Sequence, residues 1–430
     1  MIRKVLIVGY VWPEPKSSAA GTRMLELVQL FLQMQCDVIF ASAAALSEHR
    51  FDLKSIGVAE QSIALNSSSF DEFVKNFQPD LVVFDRFFTE EQFGWRVAFS
   101  CPGAIRVLDT EDLHSLRHAR HTLLKTEQKK YLTEKEKQSL GPINLAFDDL
   151  YAQMSQQDMA FREVAAIFRC DLSLMISEFE IELLQTYFAV PASLLSYTPF
   201  FTSQASQNKL VPEFSARQHF VTIGNFRHEP NWDSVLWLKH QLWPLIRAQL
   251  PDAQLHIYGA YPPPKATQLH KPAEGFCIKG WAEDADVVMQ HARVCLAPLR
   301  FGAGIKGKLM DAMRNGTPSV TTHVGAEAMT GGFAWGGVVT DVAGEFSVAA
   351  VKLYQDASAW QRAHQNGFSI LQNYFNRVDY ASALSKKLCA LADNLDQHRC
   401  NNFVGQMLQH HSMKSTQYMG QWIEAKNKNV

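Results

Sequence analysis

Short apolar runs recur along this chain in two series, and each run is followed by a stretch with helical spacing. The first series is Val5–Val8, Val38–Ala41, Leu81–Phe84, Ala104–Leu108 and Leu172–Ile176. The second is Phe220–Ile223, Gln254–Tyr258, Phe276–Ile278, Val294–Ala297 and Ser319–Thr321. Runs this short that lack polar alternation are the mark of strands buried on both faces, as in a parallel sheet covered by helices. Between the runs, Met24–Met34 puts Leu27, Val28, Phe31 and Leu32 on one helical face, and Ser234–Leu250 has room for a long helix. The predicted fold class is therefore α/β, with two doubly wound Rossmann-like domains facing a central cleft. Ligands in such folds sit beyond the carboxyl ends of the strands.

The domain reading follows from where the pattern breaks. Residues 1–200 form an amino-terminal domain interrupted by a polar helical segment at about 113–165. Arg117–Lys137 is rich in Lys, Arg and His, but Glu127, Glu134 and Glu136 offset that charge. The plain reading is a solvated helix laced with i,i+4 pairs. The sharper reading is a face turned toward an anionic acceptor or a membrane. The stretch Pro191–Ser215 is broken by Pro191, Pro199 and Pro212 and places a linker at 201–216. The carboxy-terminal domain then spans 217–375. Residues 376–430 are expected to give a helix that packs back on the amino-terminal domain, followed by a polar tail.

Composition removes several classes. The 41 Lys+Arg against 43 Asp+Glu leave a net charge of -2. A nucleic-acid binder should carry a clear basic excess, so nucleic acid is not an expected partner. No run approaches the roughly 18 apolar residues of a spanning helix, and Val5–Val8 is too short for a signal-peptide core. The seven cysteines form no CxxC pair and are odd in number, which reads as reduced thiols without a zinc site. The expected location is cytoplasmic, at most peripheral at the inner face of a membrane.

The chemistry concentrates in Ala297-Pro298-Leu299-Arg300-Phe301-Gly302-Ala303-Gly304-Ile305-Lys306-Gly307-Lys308-Leu309-Met310-Asp311. This segment leaves a strand, carries three glycines and enters a helix. Glycines such as Gly302 and Gly304 let backbone N–H groups approach a phosphate, and a helix N-terminus adds partial positive charge there. Lys306 and Lys308 add full charges, and Asp311 lies near one turn beyond Lys308, suited to sugar hydroxyls such as those of a ribose. Fixed donors aimed at a departing diphosphate would lower the barrier of glycosyl transfer. A tight turn with two surface lysines is the plain alternative.

Further motifs stand in order around that segment. Gly316-Thr317-Pro318-Ser319-Val320 and Gly325-Ala326-Glu327 follow it, while Ile223-Gly224-Asn225, Pro230-Asn231 and Gly280-Trp281 precede it. With these in place, about 219 to 330 resembles the donor-binding half of the family-4 retaining glycosyltransferases, glycosyl transferases group 1 of the GT-B fold. The branch in question has a G-G-G-x-R-x-K-x-x-E-A pattern followed by G-x-P-V-V-x-T and G-A-E-G.

The resemblance implies a set of roles. Asp311 should hold the ribose, and Lys306 and Lys308 should face the diphosphate. Gly280 and Trp281 should border the base. Gly224 should let its loop approach the phosphates, with Arg227 as a further cation. In the first loop of the chain, Pro13, Ser17 and Arg23 should lie on the acceptor side. Asp112 and His114, just after the strand ending at Leu108, should touch the transferred sugar, although Asp112 could instead cap the next helix. The sequence departs from the pattern in three places. Ala303 stands where the first acid of the paired-acid motif falls, Asp311 replaces Glu, and Asn231 stands where a lysine is often found.

His114, His118 and His121 have i, i+4, i+7 spacing, which could suit a metal, but Arg117 and Arg120 lie between them. A solvated or phosphate-facing cluster is the better reading, so no metal and no cofactor are expected. Glu178 reads as first-turn helix charge. Trp232, Trp237 and Trp243 read as core or interface.

The expected activity is transfer of a sugar from a nucleotide diphosphate sugar to an acceptor hydroxyl, with retention. The acceptor would be a cell-surface glycan or a lipid-linked one. Two other readings stay open, a nucleotide-sugar epimerase of the same fold and a catalytically silent protein that binds a nucleotide or a partner.

Overall fold

The computed structural model describes residues 2–200 and 211–428, and for 134, 135, 138, 377, 411–413 and 428 it describes the backbone alone. The linker expected at 201–216 lies mostly outside the described residues. Its last part is a short turn at Phe214–Ala216 leading into the second domain.

The first sheet holds β1 (Lys4–Gly9), β2 (Asp37–Ser42), β3 (Ala59–Ser62), β4 (Leu81–Asp85), β5 (Ile105–Asp109), β6 (Leu172–Met175) and β7 (Leu195–Tyr197). All pairs are parallel, in the order β3-β2-β1-β4-β5-β6-β7. The second holds β8 (Gln218–Ile223), β9 (Leu255–Tyr258), β10 (Phe276–Gly280), β11 (Ala292–Ala297), β12 (Ser319–Thr321) and β13 (Gly337–Val339). It too is all-parallel, in the order β10-β9-β8-β11-β12-β13. Each order reverses beside its first strand, between β1 and β4 and between β8 and β11. That reversal opens a crevice at the carboxyl ends.

The predicted strands all form, with ends moved by a residue or two. β3, β7 and β13 were not foreseen. β3 carries Ala59-Glu60-Gln61-Ser62 on the sheet edge, where no apolar run is needed. β7 and β13 are three residues long, too short to give a pattern.

Burial explains why both series read as continuous apolar runs. On β1, Leu6 and Val8 pack into one layer with Val82, Phe84 and Leu108, while Val5 and Ile7 pack into the opposite layer with Leu81, Val83 and Val107. The opposite layer also takes Leu384, Leu388 and Leu391 from the helix Arg377–Asp393, so the end of the chain returns to the first sheet. The polar tail expected beyond it is instead two helices, Leu395–Asn401 and Phe403–Lys428. The last packs on the helices Arg86–Ser100 and Asp158–Arg169. Its partners are too far away in sequence for its own periodicity to show them.

The expected helix Ser234–Leu250 is realised as Glu229–Trp237, a π-turn over Leu238–Leu242, and Trp243–Gln249. Trp237 and Trp243 are core residues.

Candidate donor and transfer site

The glycine loop meets the other domain directly. It leaves β11 and ends at the helix Gly307–Arg314. Gly304 has φ +61, and a Cβ there would lie 2.8 Å from Cβ of Asp112 and from Cδ1 of Ile176. Both the backbone angle and the contact therefore require glycine at this point. The Gly304 N–H donates to Oε1 of Glu180 at 2.7 Å. The Gly302 carbonyl accepts from Arg120 at 2.8 Å, and Arg120 also grips Glu327.

Both predicted cations lie inside this seam. Nζ of Lys306 donates to the Gly304 carbonyl at 2.7 Å, and Nζ of Lys308 donates to Oδ1 of Asn231 at 2.8 Å. Burial lowers each ammonium to about 8, and for Lys306 the acids Glu327, Glu180 and Asp112 pull the other way. Neither lysine is ion-paired among the described residues. Two cations, buried Lys306 and half-buried Lys308, held only by neutral oxygens are poised for an anion. Asn231 also joins Lys308 to the Gly224 loop, since a Cβ on Gly224 would sit 2.6 Å from Nδ2 of Asn231. The residue that departs from the family pattern is thus the one that positions the lysine.

Asp311 lies on the same helix, with a third of its side chain exposed, and takes Arg314 at 3.3 Å. Burial raises its carboxyl above the ordinary value, Arg314 lowers it and Asp286 raises it. Gly280 has φ +79, which only glycine adopts easily, and it turns the chain at the end of β10. Trp281 beyond it stacks on His49 of the other domain, with ring centroids 4.3 Å apart at 11°. Arg227 lies over the Tyr261 ring at 3.9 Å. It lines a groove of about 640 Å³ with Phe226, Glu229, Trp232, Tyr261 and Lys265. Tyr261 in turn donates to Glu14 of the first loop at 3.1 Å.

On the facing side, β5 ends at Asp109 and the chain turns through Glu111, which has φ +62, into the helix His114–Gln128. Asp112 is not the cap of that helix. The first-turn N–H groups of His114 and Ser115 donate to Glu163 at 2.9 and 3.0 Å, which leaves Asp112 for the seam. Asp112 is ion-paired with Arg117 and lies 3.4 Å from Nε2 of His114. Burial pushes its carboxyl up, but Arg117, His114 and His228 outweigh that and hold it well below the carboxylate range. Burial pushes His114 down to about 4, which Asp112 only partly opposes, so the imidazole is neutral near pH 7. Phe87 and Phe88 meet it edge-on.

The other predicted residues fall elsewhere. Arg23 does not line the acceptor side. It is wholly buried on Asp109 and on the carbonyls of Thr198 and Pro199, because a guanidinium inside a fold needs a carboxylate and carbonyls around it. Pro13 is buried, and its carbonyl accepts from the Phe51 N–H at 2.8 Å. Ser17 is half-buried beside Glu14, whose carbonyl accepts its N–H. The three histidines do not converge. His118 is exposed, while His121 stacks on Phe301 and pairs with Glu229. Among the described residues no His, Cys, Asp or Glu group could hold a metal. Glu178 opens the helix Glu178–Tyr187, as first-turn charge would, and also accepts from Tyr374 of the second domain.

Glu180, Arg120 and His228 escaped notice as site residues. Ser177-x-x-Glu180 reads as an ordinary capping box, in which the glutamate side chain turns back on its own helix start. Here the carboxyl reaches across the cleft instead. Arg120 was one cation among many on a polar helix, and His228 lies in a turn with no pattern.

Residues 217–356 match the family Glycosyl transferases group 1. An uncharacterized 44.6 kDa protein in the cps region of Klebsiella pneumoniae is 23% identical over 172 residues, which cover 38% of this chain and 44% of that protein. The chain thus spans less than half the length of that curated relative. The fold is similar to that of sucrose-phosphate synthase from Thermosynechococcus elongatus, with TM-score 0.61, 14% identity, and 90% and 99% of the two chains covered. HepE of Anabaena, solved with UDP-glucose, is similar with TM-score 0.60, 12% identity, and 90% and 100% covered. TarM is similar with TM-score 0.65, 6% identity, and 90% and 99% covered. Residues 217–356 thus resemble a group 1 glycosyl transferase domain, and the chain as a whole has the two-domain α/β fold, GT-B, of these solved structures.

Proposed function

We propose that the chain moves a sugar from a nucleotide diphosphate sugar to an acceptor hydroxyl, with retention, in the synthesis of a cell-surface glycan. The observation that carries this reading is the pair of unpaired cations, buried Lys306 and half-buried Lys308, beside a seam whose other face holds Asp112 and His114. HepE, which was solved with UDP-glucose, supports a uridine nucleotide as donor. The relative in the cps region supports a polysaccharide role.

In this reading Lys306, Lys308 and the loop N–H groups hold the diphosphate and stabilise the charge it gains as the glycosidic bond lengthens. Asp311 takes the ribose, and Gly280 and Trp281 border the base. Asp112 and the neutral His114 face the sugar, where a carboxylate lowers the energy of an oxocarbenium-like centre. The leaving phosphate takes the proton of the acceptor hydroxyl, which attacks from the same face. Closure of the two domains keeps water out, so transfer competes well with hydrolysis. No metal takes part, since the lysines already supply the charge. A lipid-linked acceptor fits the terminal helix, which exposes Tyr418, Met419 and Trp422 and could rest on a membrane surface. No helix among the described residues is long and apolar enough to cross one.

The test is a thermal-shift screen against nucleoside diphosphates and their sugars, without metal and then with magnesium. A rise in melting temperature with one base is expected. No shift with any of them would sink the donor-site reading.

A further inference from the structure

Three acids, Asp112, Glu180 and Glu327, meet beside the glycine loop at the seam, and two of them are fully engaged. Asp112 is held by Arg117 with His114 beside it, and both oxygens of Glu327 are held by Arg120. The third, Glu180, is different. It is 0% exposed, yet only Oε1 is used, accepting from Gly304 N–H at 2.7 Å and from Leu113 N–H at 3.3 Å. Its Oε2 has no hydrogen-bond partner among the described residues. One carboxyl therefore fastens the glycine loop of the second domain to the Asp112 loop of the first while half of its capacity stays idle. A buried polar oxygen without a partner is costly, and such a group calls for an explanation.

The bond to Gly304 crosses between domains, so opening the cleft breaks it and bares the carboxyl to whatever enters. An ionised carboxylate repels a diphosphate but accepts from hydroxyl groups, and a protonated one also donates to them. Burial, with Asp112 adding to it, pushes Glu180 up to about 8, so both forms are accessible near neutral pH. The loop Phe301–Lys308 carries no carboxylate of its own.

We propose that Glu180, reaching in from the first domain, hydrogen-bonds a hydroxyl of the donor's sugar and so contributes to the choice of sugar. This rests on the reading of the seam as a nucleotide-sugar site. In the absence of donor the same carboxyl occupies the Gly304 N–H.

The experiment is calorimetric binding of UDP, UDP-glucose, GDP and GDP-mannose to the wild type and to Glu180→Gln. At pH 7, where this carboxyl is mostly protonated, loss of its hydrogen bond to the sugar should weaken the nucleotide sugar roughly five-fold, while the bare diphosphate stays within about two-fold. Glu180→Asp, which keeps the acid and shortens its reach, carries the same comparison if the Gln variant does not fold. An equal loss for both ligands would make Glu180 a prop of the loop and overturn the proposal. No change for either, or tighter binding of the bare diphosphate, would overturn it too. A wild type that binds none of the four removes the donor reading and this proposal with it, whereas a selective failure of the variants' sugar effect removes the proposal alone.

Discussion

Arg120 of the first domain grips Glu327 of the second through two hydrogen bonds of 2.9 and 2.6 Å, and the same guanidinium takes the Gly302 carbonyl at 2.8 Å. Both partners are largely shielded from water, with 6% and 14% of their side chains exposed. The pair lies beside the glycine loop, so it ties the approach of the two domains to the shape of the candidate donor site. Removing Arg120 alone leaves Glu327 in the seam without a partner. Arg120→Ala should destabilise the closed form by about 3 kcal/mol or more. Small-angle scattering should show a larger radius of gyration than that of the wild type. An unchanged radius and melting temperature would mean that other contacts hold the domains.

Lys308 should carry much of the affinity for the nucleotide. Lys308→Ala loses one charge-assisted contact, worth about 1.5–3 kcal/mol, so diphosphate binding should weaken roughly ten- to hundred-fold. Calorimetry with the best-bound nucleotide checks this. Wild-type affinity in the variant would place the diphosphate elsewhere.

Donor binding should also depend on pH, with a definite sign. Burial holds Lys308 at about 8 in the free protein. A bound diphosphate favours the charged ammonium, so binding takes up a proton at pH values above that. Affinity should therefore fall as pH rises through 8, by up to about ten-fold per unit for one such group. Lys308→Arg, which stays charged, should make the profile shallower, with Lys306 left to titrate. Calorimetry in two buffers of different ionisation enthalpy reads the proton uptake, and none at pH 8.5 would contradict this account.

Asp112 should matter for turnover more than for nucleotide binding. Asp112→Asn keeps the shape but gives up the carboxylate proposed to face the sugar. We expect kcat to fall by roughly a hundred-fold or more, with affinity for the bare nucleotide within a few-fold. Equal losses in both would mean that Asp112 serves only to hold Arg117.

Glu163 gives a stability test outside the seam. Burial pushes its carboxyl up to about 7 from an ordinary 4.5, against the pull of the Ser115 hydroxyl and the N–H groups of Ser115 and His114. A carboxyl raised in the fold contributes stability that is complete below its unfolded value and is lost as pH rises through its folded value. Between pH 4.5 and 7, wild type should therefore lose up to about 3 kcal/mol that Glu163→Gln does not lose. Denaturant melts of both proteins at pH 5 and 8 measure the difference. A gap between them that does not change with pH would show Glu163 to be ionised throughout.

The glycine-loop part of the candidate site is legible because its residues are local. Gly304, Lys306, Lys308 and Asp311 lie within eight positions of one another, and a strand, a loop and a helix start can be read around them. Arg23 was misplaced for the opposite reason. Its partners, Asp109 and the carbonyls of Thr198 and Pro199, are far along the chain, and a cation near a candidate loop looks the same whether it faces solvent or the core. Asp112 could be read as a cap or as a site residue until Glu163 was seen to take the N–H groups a cap would satisfy.

The sequence by itself determined two parallel sheets and the glycine loop between β11 and its helix, because burial on both faces and glycine-rich turns leave periodic and compositional marks. The tertiary structure alone decided that Gly304 meets Asp112 and Glu180 and that Arg120 finds Glu327. Those pairings join residues up to a few hundred positions apart. They depend on where two rigid domains come to rest against each other, and no local spacing records that.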